Sequence, residues 1–235
     1  LAFVEQDSTG QHLRVRDLRG GGVLDLVSMP GLGMLDWSAD GTMIRFRDPS
    51  PGAGALYVIP RLGGTPRQLQ PGNSWVASPS GDRLASLAFS SRTITILGPD
   101  PGDSVALAIP FEYTWNVQLL WSPSGDRFAV LTSTPERNLY SVIIMAADGR
   151  WAREALVTSM VLQGAVWAPR GDALYVMHQD GPFAAVRRHR IGRYGQMRGM
   201  AETVVSGLRP VSLEGWGIVR VSISADERLL VFARE

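Results

Sequence analysis

The chain has 235 residues, 45% of them hydrophobic, and it carries 23 basic and 22 acidic side chains. That composition is typical of an ordinary globular protein, and a net charge of +1 gives no reason to expect binding to nucleic acid. No apolar run reaches the roughly 18 to 20 residues that a membrane-spanning helix needs. All of the basic residues are arginine and cysteine is absent, which excludes Schiff-base chemistry, the P-loop lysine, disulfide bonds and thiol catalysis.

Short apolar segments, separated by glycine- and proline-containing turns, run the whole length of the chain. The first three lie at 1–4, 12–18 and 23–27, and each is predicted to be a strand. Further along, the sequence Ser-Pro-x-Gly-Asp or a variant of it recurs five times. The copies lie at 37–41, 77–82, 121–126, 167–172 and 223–227. The steps between their second residues, Ser38, Ser78, Ser122, Ala168 and Ser224, are 40, 44, 46 and 56 residues.

This signature has the residue preferences of a type I turn, with Ser first, Pro second and Gly fourth. An apolar segment lies on either side of it, for example 117–121 and 128–131 around the third copy. A third and a weaker fourth segment follow, so each repeat contains four predicted strands. One position in the repeat is occupied by Trp37, Trp121 and Trp167. We interpret these side chains as packing between neighbouring repeats.

Four strands in about 40 residues is the period of a β-propeller blade. The sequence therefore predicts an all-β fold, a β-propeller of four-stranded blades that forms a single domain over 1–235. The predicted units are a partial blade at 1–29, blades at about 30–70, 71–110, 112–160 and 161–209, and a partial blade at 214–235.

The predicted number of blades depends on how the ring closes. The chain starts one strand late and stops two strands early, so we expect a six-bladed propeller that is incomplete in this segment. A five-bladed ring is the alternative, in which the first of the two C-terminal strands completes the first blade, but the second would then duplicate 1–6. The absence of an initiator methionine also leads us to expect a segment of a longer polypeptide.

Residues 56–69, Leu-Tyr-Val-Ile-Pro-Arg-Leu-Gly-Gly-Thr-Pro-Arg-Gln-Leu, follow one copy of the turn signature. Together with that signature they resemble the TolB-type, WD-like propeller repeats. Such repeats occur in periplasmic TolB proteins, in propellers appended to bacterial kinases and regulators, and in the non-catalytic propellers of prolyl-oligopeptidase-like enzymes. The resemblance implies a bacterial protein with a periplasmic or extracytoplasmic location. Ala39, Ala225 and Glu227 depart from the signature, so its first and last copies are weaker.

The sequence contains no recognisable catalytic constellation. The three histidines, His12, His178 and His189, are assigned to different strands or blades, so we expect no metal site. No Gly-x-Ser-x-Gly elbow occurs, and the aspartates that recur once per repeat favour turn geometry over acid–base catalysis. We therefore predict no catalytic residues, no cofactor and no enzymatic activity.

One segment, 183–200, contains five arginines and no acidic residue. An exposed hairpin whose arginines are solvated, or paired with acidic neighbours, is one interpretation. The alternative is a binding patch for an acidic partner protein, with aromatic contact beside the charges. The candidate partner-binding residues are Arg187, Arg188, Arg190, Arg193 and Tyr194.

The predicted function is a non-enzymatic protein-interaction or sensor module that presents a rigid propeller surface to a partner protein or ligand. The alternative is an accessory propeller of a prolyl-oligopeptidase-like hydrolase, with the catalytic domain outside this segment. A third hypothesis is a propeller enzyme that acts on a small molecule in the central channel. The neighbouring domains encoded in the full-length gene would separate the first two.

Overall fold

The computed structural model describes residues 1–17, 20–38, 41–48, 55–71, 74–88, 91–98, 102–208, 221–224, 226–228 and 230–232. Apart from one turn of 3-10 helix at Pro135–Arg137, the regular structure of these residues consists of β-strands. This confirms the predicted all-β class. The chain divides into two compact units, Leu1–Asn73 and Ser74–Glu235.

Among its described residues, the first unit forms two antiparallel sheets, one of three strands and one of four, and in each the strands follow chain order. Leu13, Ile44, Phe46 and Ile59 are fully buried and pack together, so each sheet contributes one face to the core of this unit. The strands are β1 (Ala2–Asp7), β2 (Gly10–Arg16), β3 (Val23–Met29), β4 (Gly33–Trp37), β5 (Met43–Asp48), β6 (Ala55–Pro60) and β7 (Arg67–Pro71).

In the part of the second unit that the structure describes, there are three four-stranded antiparallel sheets and one two-stranded sheet, and in each the strands follow chain order. Its strands are β8 (Ser74–Ala77), β9 (Leu84–Leu87), β10 (Thr93–Leu97), β11 (Ser104–Ala108), β12 (Trp115–Trp121), β13 (Arg127–Thr134), β14 (Leu139–Ala146), β15 (Ala152–Thr158), β16 (Val161–Trp167), β17 (Ala173–Asp180), β18 (Phe183–Ile191), β19 (Met197–Leu208), β20 (Val221–Ile223) and β21 (Leu230–Phe232). A four-stranded antiparallel sheet in chain order is the arrangement of a propeller blade.

Successive sheets of the second unit pack face to face. Ile94 of β10 packs with Phe128 of β13 in one buried cluster, and Leu131 of β13 packs with Val176 of β17 in the next. Strand β13 is buried on both of its faces, as the apolar run around Phe128 predicts for a strand between two layers. These clusters make the sheet of β16–β19 a rigid support for the side chains at its ends.

The repeated signature joins the first and second strands of a sheet. Ser122 Oγ accepts a hydrogen bond of 3.0 Å from the backbone N–H of Arg127 and donates one of 3.0 Å to Asp126 Oδ1. The backbone N–H of Gly125 donates to the carbonyl oxygen of Ser122, and its φ of 76° explains the glycine. Ser78 makes the same side-chain bonds in its own turn, which confirms the turn role predicted for these serines.

The repeated tryptophans are packing residues. Trp167 is buried between the sheets of β12–β15 and β16–β19. The Trp121 ring lies 4.6 Å from that of Phe128, and its Nε1 donates a hydrogen bond to the carbonyl oxygen of Gly125. Trp37 packs against the core of the first unit. The interpretation of these side chains as packing residues is therefore confirmed.

Within the described part of the chain, no helix is long and apolar enough to cross a membrane.

Candidate functional site

The arginine-rich segment forms strand β18 and the turn that joins it to β19. Arg190 stands directly opposite Arg198 of β19. Because successive side chains of a strand point to opposite faces, Arg187 lies on one face of the sheet and Arg188 on the other. The structure therefore distributes the five candidate residues Arg187, Arg188, Arg190, Arg193 and Tyr194 among three environments.

Arg188 is engaged by contacts inside the second unit. Its guanidinium lies 5.9 Å from the centre of the Tyr175 ring, and its Nε is 3.7 Å from Glu227 Oε2. Its Nη2 is 4.0 Å from Asp172 Oδ1, and the Tyr175 hydroxyl donates a hydrogen bond of 2.6 Å to Glu227. Burial opposes the charge on Arg188, but Tyr175 and the two carboxylates raise its pKa. Arg188 thus joins β17 and β18 to the turn before β21.

Arg187 lies on the other face of β18, opposite Val176 of β17. It is half-buried, and its Nη1 is 3.8 Å from the sulfur of Met160. Of the residues described, none places a carboxylate within 4.0 Å of this guanidinium. The positive charge of Arg187 is therefore surrounded by uncharged groups.

Those groups include a buried pair of histidines. The Nε2 atoms of His178 and His189 lie 3.0 Å apart, and the two residues are only 3% and 8% exposed. Burial lowers the pKa of His178 to about 3, with further lowering from His189 and Arg187. Burial and then Arg187 also lower the pKa of His189. Both rings are therefore neutral near pH 7.

His178 and His189 lie in different strands, as the sequence predicts, but their side chains are in contact. Strands β17 and β18 are neighbours joined by a tight turn, and their register places His178 opposite Ala185 and His189 opposite Leu174. Both imidazoles thus project from one face and reach towards each other along the sheet. The Gly181–Pro182 turn, taken as the centre of a hairpin, would have shown this from the sequence.

Arg190, Arg193, Tyr194 and Arg198 remain as a group at the β18–β19 turn, and we call them the basic hairpin. Arg190 and Arg198 face each other across the two strands. The Arg193 guanidinium lies 5.6 Å from the centre of the Tyr194 ring, which is 54% exposed. Within the described ranges, no carboxylate lies within 4.0 Å of these three arginines. The basic hairpin therefore presents three uncompensated positive charges beside an exposed aromatic ring.

Arg127 of β13, a residue that no sequence motif marks, contacts the base of this hairpin. Its Nη2 donates a hydrogen bond of 2.9 Å to the carbonyl oxygen of Gly171, and its guanidinium lies 5.4 Å from the centre of the Trp167 ring. Its Nη1 donates a longer bond of 3.5 Å to the carbonyl oxygen of Gly192, at the start of the hairpin turn. The neighbouring sheet therefore positions the turn.

The first unit carries an open cleft on the sheet β1–β3, with a volume of about 550 Å³. Three of its charged side chains already pair with each other, since Arg14 contacts both Glu5 and Asp25. Nor do the described residues bring together three or more His, Cys, Asp or Glu side chains that could hold a metal ion. The basic hairpin is therefore the better candidate for recognition of another molecule.

Comparison with known proteins finds neither a matching family model nor a matching curated protein. Solved structures do match. A protein described as TolB from Agrobacterium tumefaciens superimposes with a TM-score of 0.60 at 19% identity, over 86% of this chain and 76% of that one. For TolB from Acinetobacter baumannii the TM-score is 0.58 at 18% identity, over 84% of this chain and 52% of that one.

Proteins with other names share the same architecture. Hydrazine synthase from Kuenenia stuttgartiensis matches with a TM-score of 0.67 at 13% identity, over 97% of this chain and 68% of that one. A protein assigned as a 6-phosphogluconolactonase from Bacteroides uniformis matches with a TM-score of 0.60 at 16% identity, over 99% and 73%. At such identities a likeness shows the fold and not the function. This chain therefore has a TolB-like β-propeller fold built from four-stranded antiparallel sheets.

Proposed function

We propose that this chain is a non-enzymatic interaction module that binds an acidic segment of a partner protein on the basic hairpin. The observation that carries the proposal is the direct cross-strand pairing of Arg190 with Arg198, beside Arg193 and with no carboxylate partner in the described part of the chain. Like charges placed directly opposite each other destabilise a pair of strands. An acidic ligand would offset this repulsion by forming ion pairs with the arginines.

The side chains of the basic hairpin suit a carboxylate-rich ligand. The planar guanidinium of arginine presents several N–H donors that match the two oxygens of a carboxylate, and such charge-assisted pairs are stronger than neutral hydrogen bonds. Tyr194 supplies exposed apolar area beside the charges and rests edge-on against Trp151, with the ring centres 6.2 Å apart. Aromatic residues and arginine are the types most enriched among residues that dominate binding energy.

A direct test uses a fluorescent peptide of about a dozen residues rich in glutamate, with a glutamine peptide of equal length as the neutral probe. We expect the glutamate peptide to bind and its affinity to fall as salt is added, because exposed charges are screened. A variant with Arg190, Arg193 and Arg198 all changed to Gln should bind it at least tenfold more weakly at low salt.

A matched control separates the basic hairpin from net charge. Changing Arg92, Arg150 and Arg228 to Gln removes the same three charges from exposed sites elsewhere. This control variant should bind the glutamate peptide as the parent protein does. Equal losses in both triple variants, or equal binding of both peptides by the parent, would rule out the basic hairpin as the recognition site.

The cellular setting of this function stays a prediction from the resemblance. A periplasmic or extracytoplasmic location would be tested by fractionation of the native host. An accessory role beside a hydrolase domain, and the absence of enzymatic activity, likewise stay predictions. The likeness to proteins that bear enzyme names makes assays of the purified chain on ester, lactone and peptide substrates worthwhile.

A further inference from the structure

The buried histidine pair, which the proposed function does not use, has the geometry of an incomplete metal site. The two Nε2 atoms lie 3.0 Å apart, with ring centres 5.2 Å apart. A metal held by two imidazole nitrogens at about 2.0 Å, with bonds meeting at about 120°, needs those nitrogens about 3.5 Å apart. If the two Nε2 atoms moved about half an ångström further apart, an ion could bind between them.

A third donor lies on the same side of the sheet. The register of β17 and β18 places Arg187 between the positions of the two histidines on the same face, and the sulfur of Met160 is 3.8 Å from Arg187 Nη1. Met160 immediately precedes β16, the neighbour of β17 in the same sheet. Two imidazoles and one thioether, without carboxylate or thiolate, are ligands that favour a soft ion of low coordination number.

The charge of Arg187 restricts which ion fits. A guanidinium near the ring nitrogens repels a cation, and the repulsion is twice as large for a divalent ion as for a monovalent one. Hard cations such as calcium and magnesium are excluded because they require oxygen ligands. Monovalent copper binds imidazole and thioether ligands, and its single charge keeps the repulsion from Arg187 smaller than it would be for a divalent transition ion.

We propose that His178 and His189, together with Met160, bind one monovalent copper ion. Binding moves the proton shared between the rings to an Nδ1 atom, so both imidazoles stay neutral and both Nε2 lone pairs face the ion. No electron transfer is involved. Arg187 is displaced from Met160, which frees the sulfur.

The test titrates the full chain with Cu(I) under anaerobic, reducing conditions against a coloured competing chelator. One copper ion per chain is expected. His178→Gln and His189→Gln should each abolish binding, and Met160→Leu should weaken it about tenfold. Arg187→Gln should strengthen it, because the repelling charge is removed.

The composition of the chain provides matched controls. It contains three histidines and no cysteine, so His12→Gln removes the remaining imidazole, and it should bind copper as the parent does. Met200→Leu removes a thioether that is 96% exposed and should likewise have no effect. Binding lost equally in the His12 and His178 variants would overturn the proposal, as would a parent protein that leaves all copper on the chelator.

A measurement on the unsubstituted protein covers the case in which the histidine variants fail to fold. The X-ray absorption spectrum of the copper-loaded chain should show two nitrogen neighbours and one more distant sulfur neighbour. A shell of sulfur alone or of oxygen alone would overturn the proposal. Neither a positive nor a negative copper result changes the conclusion about the basic hairpin, because the peptide experiment tests that site separately.

Discussion

The histidine pair makes the stability of the protein depend on pH, and His178→Leu should remove much of that dependence. A free histidine has a pKa near 6.5, whereas burial, His189 and Arg187 lower that of His178 to about 3. As the pH falls below the higher value, the unfolded chain takes up a proton here and the folded chain does not. The contribution of His178 is therefore complete above about pH 6.5 and is lost progressively as the pH falls towards 3.

The expected size of the effect follows from proton linkage. Each pH unit between the two pKa values changes the free energy of unfolding by ~1.4 kcal/mol. At pH 5, His178 lowers the free energy of unfolding by about 2 kcal/mol relative to neutral pH. This loss depends mainly on the pKa of His178 in the unfolded chain, because its pKa in the folded chain lies well below 5. His189 adds a loss of the same sign, since burial and Arg187 lower its pKa as well.

Urea unfolding at pH 7 and pH 5 measures this difference directly. The parent protein should lose about 2 kcal/mol more between these pH values than His178→Leu does. Ile94→Ala is the control, because Ile94 is fully buried in a cluster that does not include His178 and carries no titratable group. It should lower stability by about 2 to 5 kcal/mol equally at both pH values. An identical pH difference in the parent and in His178→Leu would refute the linkage argument.

Substitutions at three further positions probe turns and strain by urea unfolding. Ser122→Ala removes the bonds to Asp126 and to the backbone, and should cost about 1 to 2 kcal/mol; a change within experimental error would contradict the capping role. Glu227 has a φ of 58°, so Glu227→Gly should be about 1 kcal/mol more stable than Glu227→Ala, and the reverse order would dismiss strain there. Gly195→Ala would bring a Cβ within 2.9 Å of Ile144 at a φ of 76°, and should cost at least ~2 kcal/mol; neutrality would show that the turn adapts freely.

The fold could be predicted from the sequence because its determinants are local. The Ser-Pro-x-Gly-Asp turn depends on bonds that span no more than five residues, as between Ser122 and Arg127. The apolar runs beside it are long enough for one buried strand each, and their regular spacing predicts the four-stranded sheet. The number of blades is not determined this way, since closure depends on pairing between distant strands.

The candidate site was predicted only in part because its partners are distant in sequence. Arg188 meets Glu227 from 39 positions away, and Arg127 reaches Gly192 across 65 positions. Counting the charges of a segment cannot show which of them are already paired. The histidine pair is a different case, since a hairpin register about Gly181 would have revealed it.

The number of arginines left free sets how strongly salt should affect binding to an acidic partner. Segment 183–200 carries a charge of +5, but Arg188 is paired with carboxylates, and Arg187 contacts Met160 and lowers the pKa of both buried histidines. The three arginines of the basic hairpin should therefore account for the salt dependence of peptide binding. Arg188→Gln should lower stability, because it leaves Glu227 without its cation, yet it should leave the affinity for the glutamate peptide unchanged. A loss of affinity as large as that of Arg190→Gln would show instead that the partner binds across the face of the sheet.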